Sequence, residues 1–321
     1  MIWLIPILHG LGSLTFPIGK ALVTYADPIF TLGLRMLLSG ALLWGWIFIR
    51  DSQSAKISLK QGISVFIISL FSIYFCNLFE YYSLKYFSTA KTCFFYSMSP
   101  CVSVFLSYIL SYIHFKEKMT MTKWIGFMIG FIGFLPVMGF QYGSMNLITI
   151  HDILSWPSIV VIAASFCGVY GWILLRLLVK DHEMCPIKVN AYSMLFGGPL
   201  ALITSFLFEK SPLQNWKNLE VEPYFGWMAL IIFISNLICF NLYGYLLKRF
   251  SATLISFFGL LSPLFASLNA YFFLNEPFHP IILLSATLVS FGLWIVYRIE
   301  SKQGYVGIFK MGNYPVTQVS I

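Results

Sequence analysis

Charged residues are scarce in this sequence of 321 residues. Asp, Glu, Lys and Arg together make up 10% of the chain, whereas 59% of it is hydrophobic. Soluble globular domains carry about 25% charged residues, because their surface faces water. The shortage of charge therefore excludes a soluble globular domain, and the high hydrophobicity excludes intrinsic disorder. The composition is typical of a protein that crosses a lipid bilayer several times.

Motifs for metal, redox and nucleotide chemistry are also missing. The six cysteines include no CxxC pair, and the five histidines form neither an HxxxH nor an HExxH arrangement. No Gly-rich loop ends in Gly-Lys-Ser/Thr, so the sequence predicts no ATP hydrolysis. The net charge of +8 comes from cations placed singly or in pairs between apolar runs, which indicates membrane anchoring and no nucleic-acid binding. We expect no cofactor and no metal.

Long hydrophobic runs make up most of the chain. Nine stretches of at least 18 residues contain no charged residue, and a tenth, 28–49, is interrupted only by Arg35. A membrane-spanning helix needs about 20 apolar residues. The sequence therefore predicts an all-α membrane protein with ten transmembrane helices. The nine uninterrupted stretches are 1–19, 61–79, 92–113, 124–150, 153–175, 189–208, 223–247, 250–275 and 280–297.

The basic residues between these stretches predict the orientation. If the N-terminus is cytoplasmic, the cytoplasmic segments carry 14 Lys and Arg residues and the opposite side carries five. Cytoplasmic loops of membrane proteins hold the excess of Lys and Arg. We therefore expect a multi-pass protein of the cell inner membrane with both termini in the cytoplasm. The first stretch has no basic leader and no small-residue cleavage site, so we expect it to remain as a span.

Two parts of the sequence resemble one another. Residues 84–90 (LKYFSTA) precede Pro100, and residues 247–253 (LKRFSAT) precede Pro263, both at an offset of 163 positions. Each half then holds five helices, and because five is odd the second half enters the membrane upside down. Inverted repeats build many secondary transporters, with the substrate site near the midplane; the alternative is a duplication that serves packing alone. The predicted organisation is a first repeat at 1–140, a linker at 141–152, a second repeat at 153–298 and a cytoplasmic tail at 299–321.

The order and spacing of these motifs resemble the EamA-type domain of the drug/metabolite transporter superfamily. The resemblance is carried by 80–90, Ser99-Pro100, Glu117-Lys118 and 123–133 in the first half, and by 248–253, Pro263, Glu276 and Gly292 in the second. It implies ten helices, two inverted halves and a central cavity. Some members of this superfamily in host-dependent bacteria import S-adenosylmethionine, commonly in exchange for S-adenosylhomocysteine, and the Phe-, Ile- and Ser-rich composition resembles theirs.

The hypothesis that follows is a secondary transporter that moves a small polar organic metabolite by alternating access. Its cargo is S-adenosylmethionine, exchanged for S-adenosylhomocysteine, or an amino-acid-like substrate; an efflux carrier for amino acids, aromatic metabolites or drugs is the alternative. A membrane-embedded enzyme is a remote alternative, because no catalytic side chains cluster, and no ring of filter residues indicates a channel. We expect a small-molecule substrate and the lipid bilayer as partners, and a monomer or a homodimer.

Polar and aromatic side chains inside the spans are the candidates for substrate contact. A lipid-facing stripe would not hold hydroxyl, amide and ammonium groups, although amides also join neighbouring helices, and Lys20 can equally reach the membrane interface. Trp172 and Tyr170 offer flat surfaces to a ring or a cation. The predicted substrate-binding residues are Lys20, Ser13, Asn77, Tyr81, Tyr96, Tyr170, Trp172, Asn236 and Tyr243. Kinks at Pro100 and Pro263 are the predicted gating elements.

Two charges within the spans have alternative roles. Arg35 is costly inside a span, and by the family pattern it looks structural, paired with Asp27 or with helix carbonyls. Glu80 either pairs with Lys85 or Lys91 or attracts a cationic substrate, and pairing is favoured.

Overall fold

The computed structural model describes residues 2–50, 55–87, 92, 95–96, 99–110, 120–140, 155–181, 183–209, 221–274 and 280–304. Every regular element within these residues is helical. The α-helices are α1 (Leu4–Ser13), α2 (Thr15–Tyr25), α3 (Pro28–Arg50), α4 (Leu59–Ile68), α5 (Cys76–Tyr86), α6 (Ser99–Leu110), α7 (Met121–Phe140), α8 (Trp156–Arg176), α9 (Pro186–Phe208), α10 (Val221–Ile231), α11 (Phe240–Leu247), α12 (Ala252–Phe258), α13 (Ser262–Leu274) and α14 (Ile281–Lys302).

Several of these helices continue one another through a short change of winding. A π-helical segment, Ser69–Phe75, joins α4 to α5, and a second, Ile232–Cys239, joins α10 to α11. A third π-helical segment, Leu177–Asp181, follows α8, and a 3-10 turn, Gly259–Leu261, joins α12 to α13. Only Leu14 separates α1 from α2. Because π-helical turns are frequent at functional sites, these positions are candidates for a binding site.

Six helices in the described residues are long and apolar enough to cross a bilayer. Two shorter apolar helices, Met121–Gly133 and Ala252–Ala266, accompany them. The molecule is therefore an all-helical membrane protein with several spans. The six long spans are Pro28–Arg50, Leu59–Tyr86, Trp156–Lys180, Pro186–Phe208, Glu222–Leu247 and Ile282–Lys302.

Glycines allow two pairs of long helices to pack closely. The helix α3 packs along α9, and α7 packs along α14. A Cβ atom added at Gly198 would lie 2.8 Å from the backbone nitrogen of Leu37, and one added at Gly292 would lie 2.5 Å from the carbonyl oxygen of Gly126. Small residues at such contacts let two helix backbones approach inside a membrane. These glycines therefore determine the spacing of both helix pairs.

The hydrophobic core lies along the same helices. Its largest cluster runs between α1, α8 and the elements from α11 to α14, where Ile5, Val169 and Leu254 are fully buried. A second cluster, which includes Leu32 and Met194, packs between α3 and α9.

One buried ion pair fastens α7 to α14. The Nζ atom of Lys123 lies 3.2 Å from Oε1 of Glu300, and Ser251 donates a hydrogen bond of 2.6 Å to Oε2 of the same carboxylate. Both side chains are nearly inaccessible to solvent. The hydrogen bond from Ser251 further satisfies the buried carboxylate of Glu300. Such contacts are needed because an unsatisfied charge in a low-dielectric interior is costly.

Glu209 links the end of α9 to the start of α3. Its carboxylate oxygens accept hydrogen bonds from the backbone N–H groups of Ile29 at 2.7 Å and Phe30 at 2.9 Å, and from the Ser205 hydroxyl at 2.6 Å. A carboxylate at a helix N-terminus is stabilised by the free N–H groups and by the helix dipole. Burial nevertheless raises the pKa of Glu209 above its ordinary value, and the nearby Asp27 raises this pKa further.

Candidate functional site

A cavity of about 150 Å³ opens among α1, α2, α3, α5, α8 and the helices after α10. On this scale one water molecule needs about 10–15 Å³, so the cavity has room for about ten waters. That space suits a small organic molecule. The two π-helical segments, Ser69–Phe75 and Ile232–Cys239, and the 3-10 turn Gly259–Leu261 all contribute to its wall.

The guanidinium of Arg35 forms part of this wall. Arg35 is 3% exposed, and it donates three hydrogen bonds of 2.8 Å: Nε to Asn236 Oδ1, Nη1 to the Tyr81 hydroxyl and Nη2 to Ser235 Oγ. The guanidinium also lies 5.7 Å from the centre of the Tyr81 ring. These three neutral partners fix the orientation of the guanidinium, but they do not neutralise its charge. Pairing with Asp27 or with helix carbonyls, as expected from the sequence, is not among these contacts.

The carboxylate of Glu80 also lines the cavity. Arg35 acts on Glu80 electrostatically, yet within the described part of the chain no cationic side chain lies within 4 Å of Glu80 and none donates a hydrogen bond to it. The expected pairing with Lys85 is therefore wrong, and Lys91 lies outside the described residues. The cavity wall thus carries one cation and one anion that are not paired with each other.

Aromatic rings form the other part of the wall. The ring of Trp172 on α8 packs 4.5 Å from the ring of Tyr243 on α11, with 30° between their planes. The ring of Phe16 on α2 lies 5.8 Å from that of Tyr96 in an edge-to-face arrangement. The Tyr243 hydroxyl lies beside Ser256, but within the described residues neither hydroxyl makes a hydrogen bond of good geometry. Two buried hydroxyl groups thus lie beside these rings.

Asn77 lines the cavity next to Glu80 on α5. Its Nδ2 atom donates to the carbonyl oxygens of Ser72 at 3.1 Å and Ile73 at 2.9 Å. The π-helical winding leaves these carbonyls without their usual α-helical partners, so the Asn77 side chain stabilises the segment. The Oδ1 atom of Asn77 has no partner in the described part of the structure and remains an acceptor at the cavity wall.

The sequence-predicted residues take three kinds of position. Four of them line the cavity: Asn77, Tyr96, Trp172 and Tyr243. Two others, Tyr81 and Asn236, lie behind Arg35 and orient it. The remaining three join helices outside the cavity wall, and they are Ser13, Lys20 and Tyr170.

The three residues outside the wall have identifiable contacts. Lys20 donates to the carbonyl oxygen of Leu84 and, at 3.0 Å, to that of Phe87, so it caps the C-terminal end of α5. Ser13 accepts a hydrogen bond of 3.0 Å from Asn269, which joins α1 to α13. The ring of Tyr170 packs edge to face on Phe71, with 4.7 Å between ring centres.

The two prolines lie near the starts of described helices. Pro263 is the second residue of α13, directly after the 3-10 turn. Proline is tolerated in the first turn of a helix, where its missing N–H group has no partner to lose. Pro100 is the second described residue of α6. The interruption next to Pro263 is thus a change from 3-10 to α winding.

Comparison with known proteins identifies the class. The model of the EamA-like transporter family matches residues 4–139 and again residues 155–298, and the chain belongs to this family. A solved crystal structure superposes on this chain with a TM-score of 0.72 at 15% sequence identity, covering 94% of this chain and 97% of the other. The two proteins therefore share a fold.

Individual relatives include transporters with named substrates. The chain is 33% identical to the S-adenosylmethionine/S-adenosylhomocysteine transporter of Chlamydia muridarum, covering 92% of this chain and 90% of the relative. The protein of that name in Chlamydia trachomatis serovar L2 is also 33% identical, over 92% and 88%. An uncharacterized transporter of Bacillus subtilis, YoaV, is 24% identical over 84% and 86%. The prediction of a membrane transporter, not an enzyme, is confirmed.

Proposed function

We propose that this protein exchanges S-adenosylmethionine for S-adenosylhomocysteine across the membrane by alternating access. The observation that carries the proposal is the cavity, whose wall includes Arg35, Glu80 and the closely packed aromatic rings of Trp172 and Tyr243. Both compounds combine a zwitterionic amino acid with a flat adenine, so they match this set of groups. The similarity to the chlamydial transporters supports the same substrates.

The proposal includes ten spans in two inverted five-helix repeats, at 1–140 and 153–298, with a linker at 141–152 and a tail at 299–321. The two family matches support this division. The positions that line the cavity support it further, because six on the first half have counterparts 163 residues later that also line it. These pairs are Ser72 and Ser235, Cys76 and Cys239, Asn77 and Phe240, Glu80 and Tyr243, Tyr96 and Gly259, and Ser99 and Ser262. The π-helical segments begin at Ser69 and Ile232, at the same offset.

The proposed site assigns different roles to the predicted residues. Asn77, Tyr96, Trp172 and Tyr243 contact the substrate, whereas Tyr81 and Asn236 orient Arg35. Ser13, Lys20 and Tyr170 support the helices around the cavity. Pro100 and Pro263 act as the gating elements, and the 3-10 turn before Pro263 supports this role because kinks in helices arise at proline and at changes of winding.

The proposed setting is the cell inner membrane with both termini in the cytoplasm, as the 14 to 5 distribution of basic residues favours. The driving force is exchange. No ATP-binding motif is present in the sequence, and the gradient of one substrate can drive the other. The protein acts on a small molecule, as a monomer or a homodimer.

Uptake in cells that express the chain tests the substrate. We expect labelled S-adenosylmethionine to accumulate above the empty-vector level, and unlabelled S-adenosylhomocysteine to compete with it. Amino acids such as leucine and tryptophan should not compete at equal concentration. Transport of amino acids without any transport of S-adenosylmethionine would contradict the proposal and favour the alternative, a carrier for amino acids or aromatic metabolites.

A further inference from the structure

The two halves of the sequence contribute counterpart positions to the cavity wall, but the residues at some of these positions differ in charge and polarity. Ser72 and Ser235 are identical counterparts, and so are Cys76 and Cys239. At the next turn of the same helices, however, Glu80 on α5 stands where the second half has the aromatic Tyr243. The two charged side chains of the wall, Arg35 and Glu80, thus both come from the first half of the sequence. Such an uneven distribution of charge suits an asymmetric ligand.

Two further differences also give the first half of the sequence the more polar residue. The position that corresponds to Asn77 in the second half, at the same offset of 163, is the apolar Phe240. Arg35 on α3 occupies the position that Ser193 occupies on α9, counted from Pro28 and Pro186 at the helix starts. Arg35 lines the cavity, whereas the Ser193 hydroxyl is buried and is not part of the wall.

From this asymmetry we propose that Arg35 and Glu80 determine specificity by binding the amino-acid head of the substrate. Arg35 binds the α-carboxylate, and Glu80, together with Oδ1 of Asn77, binds the α-ammonium. The flat adenosine end then lies against Trp172 and Tyr243. This inference rests on the proposed function and adds to it the orientation of the substrate.

The hydrogen bonds of Arg35 are consistent with a carboxylate partner. A guanidinium has five N–H groups, and three of them are donated to Asn236, Tyr81 and Ser235. Two N–H groups remain, one on each terminal nitrogen, and a carboxylate can accept both. The three hydrogen-bond partners of Arg35 are neutral, and Glu80 acts on it only through space without an ion pair. A direct anionic partner would therefore stabilise a charge that is costly inside a span.

The substrates themselves point to the ammonium as the partner of Glu80. The sulfonium charge is present only in S-adenosylmethionine, whereas both exchange partners carry the α-ammonium. A wall residue that serves both compounds must bind a group that they share. Asn77 supports this assignment, because its free acceptor lies three residues from Glu80 on the same helix, where side chains are neighbours.

Inhibition by trimmed analogues tests the assignment. The competitors are S-adenosylhomocysteine, its decarboxylated form, its deaminated 2-hydroxy form and 5′-methylthioadenosine, which lacks the head. In the unaltered protein we expect each trimmed compound to inhibit S-adenosylmethionine uptake about 10- to 100-fold more weakly than S-adenosylhomocysteine, the effect of losing a hydrogen bond to a charged group.

Two substitutions then assign each charge. Glu80→Gln should weaken the inhibition by S-adenosylhomocysteine but not the inhibition by the deaminated analogue. The ratio of their two inhibition constants should therefore fall toward one. Arg35→Lys should remove the discrimination against the decarboxylated analogue in the same way. The ratios are measured within one variant, so they do not depend on how much protein folds. Glu222→Gln and Arg50→Lys remove or exchange charges at exposed positions outside the cavity and should leave all ratios unchanged.

The outcomes separate this inference from the proposed function. Uptake of S-adenosylmethionine with equal inhibition by all four competitors would overturn the head-binding assignment alone. Equal weakening of S-adenosylhomocysteine and the trimmed analogues in Glu80→Gln and Arg35→Lys would also overturn it, because that pattern indicates a general structural role. Absence of any S-adenosylmethionine uptake in the unaltered protein would overturn both.

Discussion

At the scale of single residues, the cavity combines rigid and available groups. Arg35 is held by three hydrogen bonds, whereas Glu80 and the Tyr243 hydroxyl have no such partner among the described residues. A fixed cation next to free acceptors can recognise a polar group without rearranging, which reduces the entropy lost on binding. Trp172 supplies the apolar surface beside them.

Trp172→Ala should weaken substrate binding more than it weakens folding. Loss of one aromatic contact costs about 0.5–1.5 kcal/mol beyond its buried area, so we expect KM for S-adenosylmethionine to rise about 2- to 12-fold while kcat changes little. The matched control is Trp46→Ala, because Trp46 is 60% exposed on the outer surface of α3. Equal KM values in both variants would remove Trp172 from the site.

Sequence reasoning located part of this wall. Asn77, Tyr96 and Trp172 could be predicted to line the cavity because polar and aromatic groups on one helical face avoid lipid. For Arg35 the sequence favoured a structural role, and for Glu80 it left substrate contact as the alternative to pairing, since the cost of a charge inside a span can equally be met by a partner in the protein. Whether a charged side chain pairs within the protein or lines the cavity depends on helices that are distant in sequence. Asn236, a hydrogen-bond partner of Arg35, lies 201 residues away.

At the scale of helices, close packing through glycine fixes the framework around the cavity. A Cβ atom added at Gly40 on α3 would lie 2.9 Å from the backbone nitrogen of Leu195 on α9. Backbone atoms cannot rotate away as a side chain can, so the two helices would have to separate. Gly45 on the same helix has no neighbour within 4 Å.

Gly40→Ala should therefore destabilise the protein, and Gly45→Ala should not. Overpacking of a close contact costs about 1–3 kcal/mol, whereas alanine in an open helical position stabilises by about 0.5–1 kcal/mol. Thermal unfolding in detergent measures the difference. A melting temperature for Gly40→Ala equal to or above that of Gly45→Ala would contradict the packing described for α3 and α9.

Glu209 gives a pH dependence that can be isolated. Burial raises the pKa of Glu209, so the folded protein holds this proton more tightly than the unfolded chain does. Its contribution to stability is complete below the ordinary glutamate pKa of about 4.3 and is lost as the pH rises through the raised value.

Relative to Glu209→Gln, the unaltered protein should thus become more stable as the pH is lowered from 7.5 to 4.5. Melting temperatures of both proteins across this range check the effect, since other titrating groups cancel in the difference. A difference that stays constant, or that grows with rising pH, would show that the hydrogen bonds from Ser205, Ile29 and Phe30 outweigh burial.

The helices themselves were largely predictable, but their interruptions were not. Charge-free runs such as 61–79 and 223–247 predicted Leu59–Tyr86 and Glu222–Leu247 well, because apolar length is what the bilayer demands. The π-helical segments inside them have no marker in composition. Their winding is compensated by amides such as Asn77, which binds the freed carbonyls only once the segment has formed.

At the scale of the whole molecule, two parts of the sequence that match the same family model both line the cavity. Counterpart positions 163 residues apart share the wall, and the proposed inverted repeats would allow either half to close over the substrate while the other opens. In the proposed exchange, the empty carrier reorients slowly and the loaded carrier reorients fast. Exchange then needs no energy source beyond the two substrates.

Counterflow in proteoliposomes tests this claim most directly. Purified protein is reconstituted into vesicles preloaded with unlabelled S-adenosylhomocysteine or left empty, and the initial rate of labelled S-adenosylmethionine uptake is measured. The account predicts uptake several-fold faster into the preloaded vesicles than into the empty ones. Equal rates in both, or no uptake above that of protein-free vesicles, would contradict it.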